Sequence, residues 1–155
     1  MRFLFCDRIL ALEPGRRLLA SKTVSISEEF LPGHYSLRPV MPAILMLECL
    51  AQAGGWLYIV TEKFGVRTVL GMVEGVRVRR HAIPGDRLLL DVQLEFQHRD
   101  GATVRGKVLC GEEVLMEADR LVFASQRIDS PSETSHTREL FAYIKGDFQW
   151  DGMPL

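Results

Sequence analysis

The most chemically suggestive arrangement in the chain is a histidine and a glutamate fourteen residues apart, His34 and Glu48. Glu48 is the only charged side chain in the run Pro42 to Val60, PAILMLECLAQAGGWLYIV. A carboxylate in such a run needs a partner, a shifted pKa or a chemical purpose, because burying an unpaired charge is costly. His34 stands just upstream in Leu31-Pro32-Gly33-His34-Tyr35, where Pro and Gly mark a loop. An imidazole and a carboxyl within reach of each other are the groups of general acid–base chemistry. Gln52 follows Glu48 by four residues, so the two share one helix face and form a narrow polar stripe on an apolar rod. On the helix alone two readings stand. Glu48 is satisfied by local hydrogen bonds or an arginine, or it belongs to an active site, where perturbed carboxyls are enriched without being confined to it.

The elements that would position these groups follow from periodicity and punctuation. Pro42 suits a first helical position, where its missing N–H costs nothing, and the helix is expected to run to about Lys63, with Gly65 as its stop signal. Residues 28–41 read as a loop punctuated by Pro32, Gly33 and Pro39. One strand is expected before the helix, in the region 16–27. Four more follow it, at 68–80, 86–98, 102–109 and 113–124. Asp100-Gly101 and Gly111 mark tight hairpins, and Ile83-Pro84-Gly85-Asp86 marks a wider turn. A helix apolar on every side is buried most economically by a curved antiparallel sheet wrapped around it, an α+β arrangement. That domain occupies residues 1–124. Residues 125–155 read as an extension, with a polar linker at Asp129 to Ser135 and an aromatic segment from Leu140 to Trp150. The aromatic segment is expected to fold back on the domain or onto a neighbouring subunit.

Composition limits the partners. The chain has 155 residues, 47% hydrophobic and 25% charged, as in an ordinary soluble protein. Nineteen basic residues against twenty acidic leave a net charge of -1, with no global attraction to nucleic acid or anionic membrane. Cys6, Cys49 and Cys110 are odd in number and widely spaced, so neither a disulfide framework nor a metal site is expected, and a reduced cytoplasmic compartment fits. His81, His98 and His136 lack carboxylate or cysteine companions at metal-ligand spacing, and no cofactor is implied. Asp7 and Arg8 interrupt the short apolar N-terminus, which does not read as a signal peptide. The Pro42 to Val60 run is long enough to cross a bilayer, but Glu48, Gln52, Gly54-Gly55 and the amphipathic strands around it favour a buried core helix over a membrane span.

Taken together, Gly33-His34-Tyr35-x-x-Arg38-Pro39-Val40-Met41-Pro42-Ala43 and Leu47-Glu48-Cys49-Leu50-Ala51-Gln52 resemble the active-site segment of the (3R)-hydroxyacyl-acyl-carrier-protein dehydratases of the FabZ type. The family pattern is roughly G-H-F-P-G-x-P-x-M-P-G followed by E-x-x-A-Q, with the same separation of His and Glu. Cys6-Asp7-Arg8-Ile9-Leu10 and Ile83-Pro84-Gly85-Asp86 extend the resemblance over roughly residues 5–124. It implies the hotdog fold, a long central helix wrapped by an antiparallel sheet. It further implies dehydration of a 3-hydroxyacyl thioester, with His34 as the base at C2 and Glu48, kept protonated by its apolar site, as the acid at the departing C3 hydroxyl. The N–H of Ala43 matches the position that polarises the thioester carbonyl, and Gln52 would orient Glu48 or a water. Gly33 and Tyr35 would line the substrate site. The implied partners are an acyl carrier protein with its phosphopantetheine-linked substrate and a second copy of the chain, in a homodimer that stands alone or builds a trimer of dimers. In that dimer His34 of one chain meets Glu48 of the other. Arg77, Arg79 and Arg80 would offer the carrier a basic surface, with a solvated strand face as the plainer reading.

Four positions depart from the family pattern: Tyr35 stands for Phe, Ser36 for Pro, Leu37 for Gly and Ala43 for Gly. These changes reshape the pocket and leave the charge chemistry in place. Three functions therefore stand in order: a dehydratase with an altered acyl substrate, a catalytically impaired hotdog subunit that binds acyl groups or pairs with an active partner, and a thioesterase.

Overall fold

A computed structural model of the chain describes residues 4–31 and 38–146. Its centre is one helix, α1 (Ala43–Thr61), whose Ala, Leu, Met and Glu content favours helix and whose 19 residues extend about 28 Å. Pro42 sits just outside it as the N-cap, with φ -55° and ψ 140°. Six antiparallel strands form one sheet: β1 (Arg8–Glu13), β2 (Arg17–Thr23), β3 (Val66–Val78), β4 (Arg87–His98), β5 (Gly101–Cys110) and β6 (Glu113–Arg127). Their order is β1-β2-β4-β5-β6-β3, so β1 and β3 are the two edges. The helix packs against β2, β3, β4, β5 and β6. Alternation supplies the matching faces: Leu88, Leu90 and Val92 of β4 are fully buried, as are Leu50, Met46 and Leu57 of α1. Gly54 permits the close approach of β5 and β6, since a Cβ there would meet the Phe123 ring at 3.1 Å and Val104 Cγ1 at 3.3 Å.

The α+β arrangement and the four strands after α1 agree with the expectation, with three differences. Two strands precede the helix instead of one. The first, β1, carries a bulge between Ile9 and Ala11, so its buried residues Ile9 and Leu12 lie three apart and the two-residue alternation is lost. At Asp100-Gly101 the turn residues are Arg99 and Asp100, and Gly101 already belongs to β5. Glycine is needed there for space, because a Cβ would fall 2.1 Å from the Phe123 carbonyl oxygen.

The third difference lies at the C-terminal side. The segment expected as a linker through Ser135 instead starts a helix, α2 (Pro131–Lys145), with Pro131 in its first turn, where the ring is tolerated. Phe141, fully buried, packs its ring 5.6 Å from that of Trp56 and 5.3 Å from that of Phe64. The aromatic segment thus folds back on its own domain as far as it is described; Phe148 and Trp150 lie outside the described residues. Phe64 also explains the end of α1. The helix stops at Thr61, and Lys63 and Phe64 take positive φ (55° and 63°) before Gly65 is reached. A non-glycine residue rarely adopts that conformation, and here the burial of Phe64 beneath Phe141 and the Arg138 guanidinium holds it.

Candidate active site

Glu48 and Gln52 lie on one face of α1, which opens to a cavity bordered by β3 and β6. Gln52 Nε2 donates to Glu48 Oε1 at 2.8 Å, as their four-residue spacing allows. The Gln52 carbonyl oxygen accepts the Phe5 backbone N–H at 2.8 Å. Gln52 is thus fixed from the N-terminal segment and in turn fixes the carboxyl. Both side chains are half-buried and line a cavity of about 380 Å³ together with Ala51, Gly55, Trp56 and Ile59 of α1, Thr68 and Leu70 of β3, and Phe123 of β6. Residues 48, 52, 55, 56 and 59 form one helical stripe, polar at its start and apolar beyond.

The start of α1 is held firmly while its donors stay open. Met41 is fully buried and donates its N–H to the Ala82 carbonyl at 2.8 Å, and its own carbonyl lies 3.2 Å from His81 Nδ1. No side chain caps the helix, and the backbone N–H groups of Ala43 and Ile44 have no hydrogen-bond partner among the described residues. Such orphan donors, at the positive end of the helix dipole, suit a developing negative charge on an oxygen. An open groove of about 920 Å³ adjoins this end, lined by Ile26, Arg38, Pro39, Val40, Arg80, His81, Ile83 and Pro84.

Of the residues expected at the site, Glu48 and Gln52 are brought together and Ala43 opens the same helix. His34, Gly33 and Tyr35 lie outside the described residues, as do Ser36 and Leu37. Of the three arginines expected to offer a carrier surface, Arg77 and Arg79 share Glu117 on one strand face, and Arg80 lines the groove beside the helix start. Arg77 is held by Asp119 at 2.5 and 2.7 Å over the outer face of the sheet, with Glu117 3.6 Å away. Arg79 reaches Glu117 at 3.4 Å, and only Arg80 lines the groove beside the helix start. Arg80 is itself bound to Asp86 at 2.8 Å and Glu113 at 2.9 Å. Burial pushes the Asp86 carboxyl up, but hydrogen bonds from Arg80 and from the Ile83 N–H outweigh it and hold its pKa below the ordinary value. Arg38, in the same groove, makes no ion pair with any described residue; it was visible in the sequence motif but carried no signal of its own.

Two features could not be anticipated from local sequence. Lys22, buried in β2, binds Glu28 at 2.5 Å and Asp7 at 3.5 Å, tying the segment after β2 to the sheet. Cys6 and Cys49 are both buried, and burial pushes the Cys6 thiol up to about 12 and raises that of Cys49 further. Among the described residues no three potential metal ligands cluster. Helix α1 is long and apolar enough to cross a membrane, yet most of it is buried inside the sheet as a core helix.

Comparison with known proteins identifies the family. A family model described as a FabA-like domain matches residues 1–119. A protein of Symbiobacterium thermophilum named 3-hydroxyacyl-acyl-carrier-protein dehydratase FabZ is 38% identical over 117 residues, covering 75% of this chain and 82% of that one. A protein of the same name from an Acidovorax species is 42% identical over 123 residues, covering 73% and 85%. Among solved structures, the dehydratase heterocomplex ApeI:P of Xenorhabdus doucetiae aligns with a TM-score of 0.66 at 18% identity, covering 87% of this chain and 89% of that one. A Streptococcus mutans protein bound to acetyl CoA aligns with a TM-score of 0.64 at 14% identity, covering 84% and 96%. These two likenesses speak for the fold alone, and that fold is the hotdog. With the family match spanning α1, its polar stripe and every strand up to the middle of β6, this chain belongs to the FabA-like family.

Proposed function

We propose that the protein is a hydro-lyase that dehydrates a 3-hydroxyacyl thioester, carried on acyl carrier protein, to the trans-2-enoyl thioester. The observation that carries the reading is Glu48, held by Gln52 in the lining of a cavity between α1 and strands β3 and β6. Its FabZ-named relatives support the same chemistry. His34 removes the C2 proton, the C–H electron pair becomes the C2–C3 double bond, and the C3–O bond breaks as Glu48 protonates the leaving hydroxyl. The product is the enoyl thioester and water. Negative charge gathers on the thioester oxygen meanwhile, and the N–H groups of Ala43 and Ile44, without a partner among the described residues, suit that oxygen; one such donor contributes on the order of 3 kcal/mol in a dry site.

The working unit is a homodimer, in which His34 of one protomer meets Glu48 of its partner. Support comes from the β3 edge: thirteen residues long, paired among the described residues with β6 alone, and bearing exposed Val69, Met72, Val76 and Val78. An uncovered edge of that length with apolar side chains invites a second copy. The carrier approaches the groove at the helix start, where Arg80 and Arg38 face the phosphopantetheine phosphate. Arg77 and Arg79 do not line that groove and contribute less.

The test is to incubate the protein with 3-hydroxyacyl thioesters of several chain lengths and follow enoyl absorbance and free thiol together. Enoyl formation without thiol release is expected. Thiol release would make the protein a thioesterase, and silence at every length with the fold intact would make it an impaired acyl-binding subunit.

A further inference from the structure

We propose that helix α2 is the end wall of the acyl cavity and that Leu140 sets the longest acyl chain the site accepts, an inference that rests on the acyl-thioester reading of that cavity. Leu140 lines the same cavity as Glu48 and Gln52, from a helix that lies outside the 1–119 family match. Glu48 and Gln52 are the charged and amide groups of the cavity lining, and further along α1 the cavity is lined by Trp56 and Ile59, with Leu140 contributed by α2. From Glu48 to Trp56 the helix advances eight residues, about 12 Å, which gives the cavity a direction along α1. A thioester reacting at Glu48 therefore sends its alkyl tail toward α2.

That wall is anchored on both sides of the opening. Glu133 at the start of α2 pairs with Arg67 of the β3 edge at 3.1 Å, and the helix also packs against β1, the opposite edge. Phe141 locks it from within between Trp56 and Phe64. The adjacent Leu140 stays only partly buried, so its side chain has surface left to present to the cavity. A buried anchor beside a half-buried neighbour is what a fixed wall requires. A helix serving stability alone would need only the anchor.

The experiment measures equilibrium binding of a graded series of saturated acyl-CoA thioesters, short to long, to the full-length wild type, Leu140→Ala and Leu140→Phe, with enoyl formation followed in parallel. In the wild type, affinity rises with length and then levels off. Leu140→Ala is expected to move that plateau to longer chains, with about fourfold tighter binding for each further methylene accommodated. Leu140→Phe is expected to move it to shorter ones. Opposite shifts cannot come from loss of stability, and thermal melting confirms that both variants fold. A plateau unmoved in both variants, or a parallel loss at all lengths, would overturn the proposal. Wild type that binds the series yet forms no enoyl product would sink the dehydratase reading and leave the wall standing. Normal dehydration with an unmoved plateau would sink the wall alone, and a wild type that binds no acyl-CoA would overturn both.

Discussion

The two ends of α1 differ more than their sequences suggest. At the C-terminal end every neighbour closes in. Thr61 Oγ1 accepts the Gly15 N–H from the β1–β2 turn, Phe64 is clamped under Phe141, and the last carbonyls at Tyr58, Ile59 and Val60 accept bonds from Glu62, Phe64 and Lys63. At the N-terminal end the base is fixed through Met41, yet the first donors have no hydrogen-bond partner among the described residues, Ile44 is 66% exposed and Glu48 is only half-buried. Both ends are apolar, so helix propensity does not distinguish them. The difference is tertiary: one end was given partners, and the other retains donors and a carboxyl on a rigid mount, the condition for electrostatic stabilisation without reorganisation.

The sharpest way to break this contrast is to damage the closed end and ask whether the open end notices. Phe141→Ala removes a fully buried ring and should cost about 3–5 kcal/mol of stability, read by denaturant unfolding. If the ends are separable, turnover of a short-chain substrate per folded molecule should fall far less than stability does. Midway along the helix, Gly54→Val pushes a branched side chain against Phe123 and Val104, which already stand at van der Waals limits for a single methyl. It should cost about 1–3 kcal/mol, visible as a lower melting temperature. Near-wild-type stability would mean that β5 and β6 give way more easily than their packing suggests.

At the open end, acid provides a gentler probe. The Asp86 pKa is lowered from its ordinary value of 3.8 when folded, so its contribution is complete above that value and is lost as pH falls through the lowered pKa. The melting temperature should therefore drop more steeply below about pH 4 in wild type than in Asp86→Asn. Parallel curves would contradict the Arg80–Asp86 anchor of the groove. The smallest effect is one of access: a thiol reagent should label half-buried Cys110 in the native protein, and Cys6 and Cys49 only as the protein unfolds, since burial keeps the latter pair protonated. Rapid native labelling of Cys49 would show that the α1 core opens readily.

What could be read from sequence divides along the same line. Glu48 and Gln52 were legible because helix geometry alone brings residues four apart into contact, and strands β3 to β6 because their alternation is regular. The Phe5 bond to Gln52 was not legible, since it joins residues 47 positions apart and depends on the whole wrap of the sheet. Strand β1 was hidden by its bulge. Helix α2 was hidden by composition: its Pro, Ser, Thr and Glu start reads as solvent-exposed chain until Phe141 and Ile144 find the core. Alternation puts Arg77 and Arg79 on one strand face, where both reach Glu117, but the acids that engage them, Glu117 and Asp119, lie about forty residues on and were not legible from local sequence.

The central claim is that the open end of α1 performs proton transfer through Glu48. The direct measurement is the rate of enoyl formation from a 3-hydroxyacyl thioester by wild type and Glu48→Gln, with melting temperature recorded on the same samples. A loss of about 10²–10⁴-fold at unchanged melting temperature is predicted, the usual worth of a positioned acid or base. Enoyl formation at the wild-type rate in Glu48→Gln would contradict it.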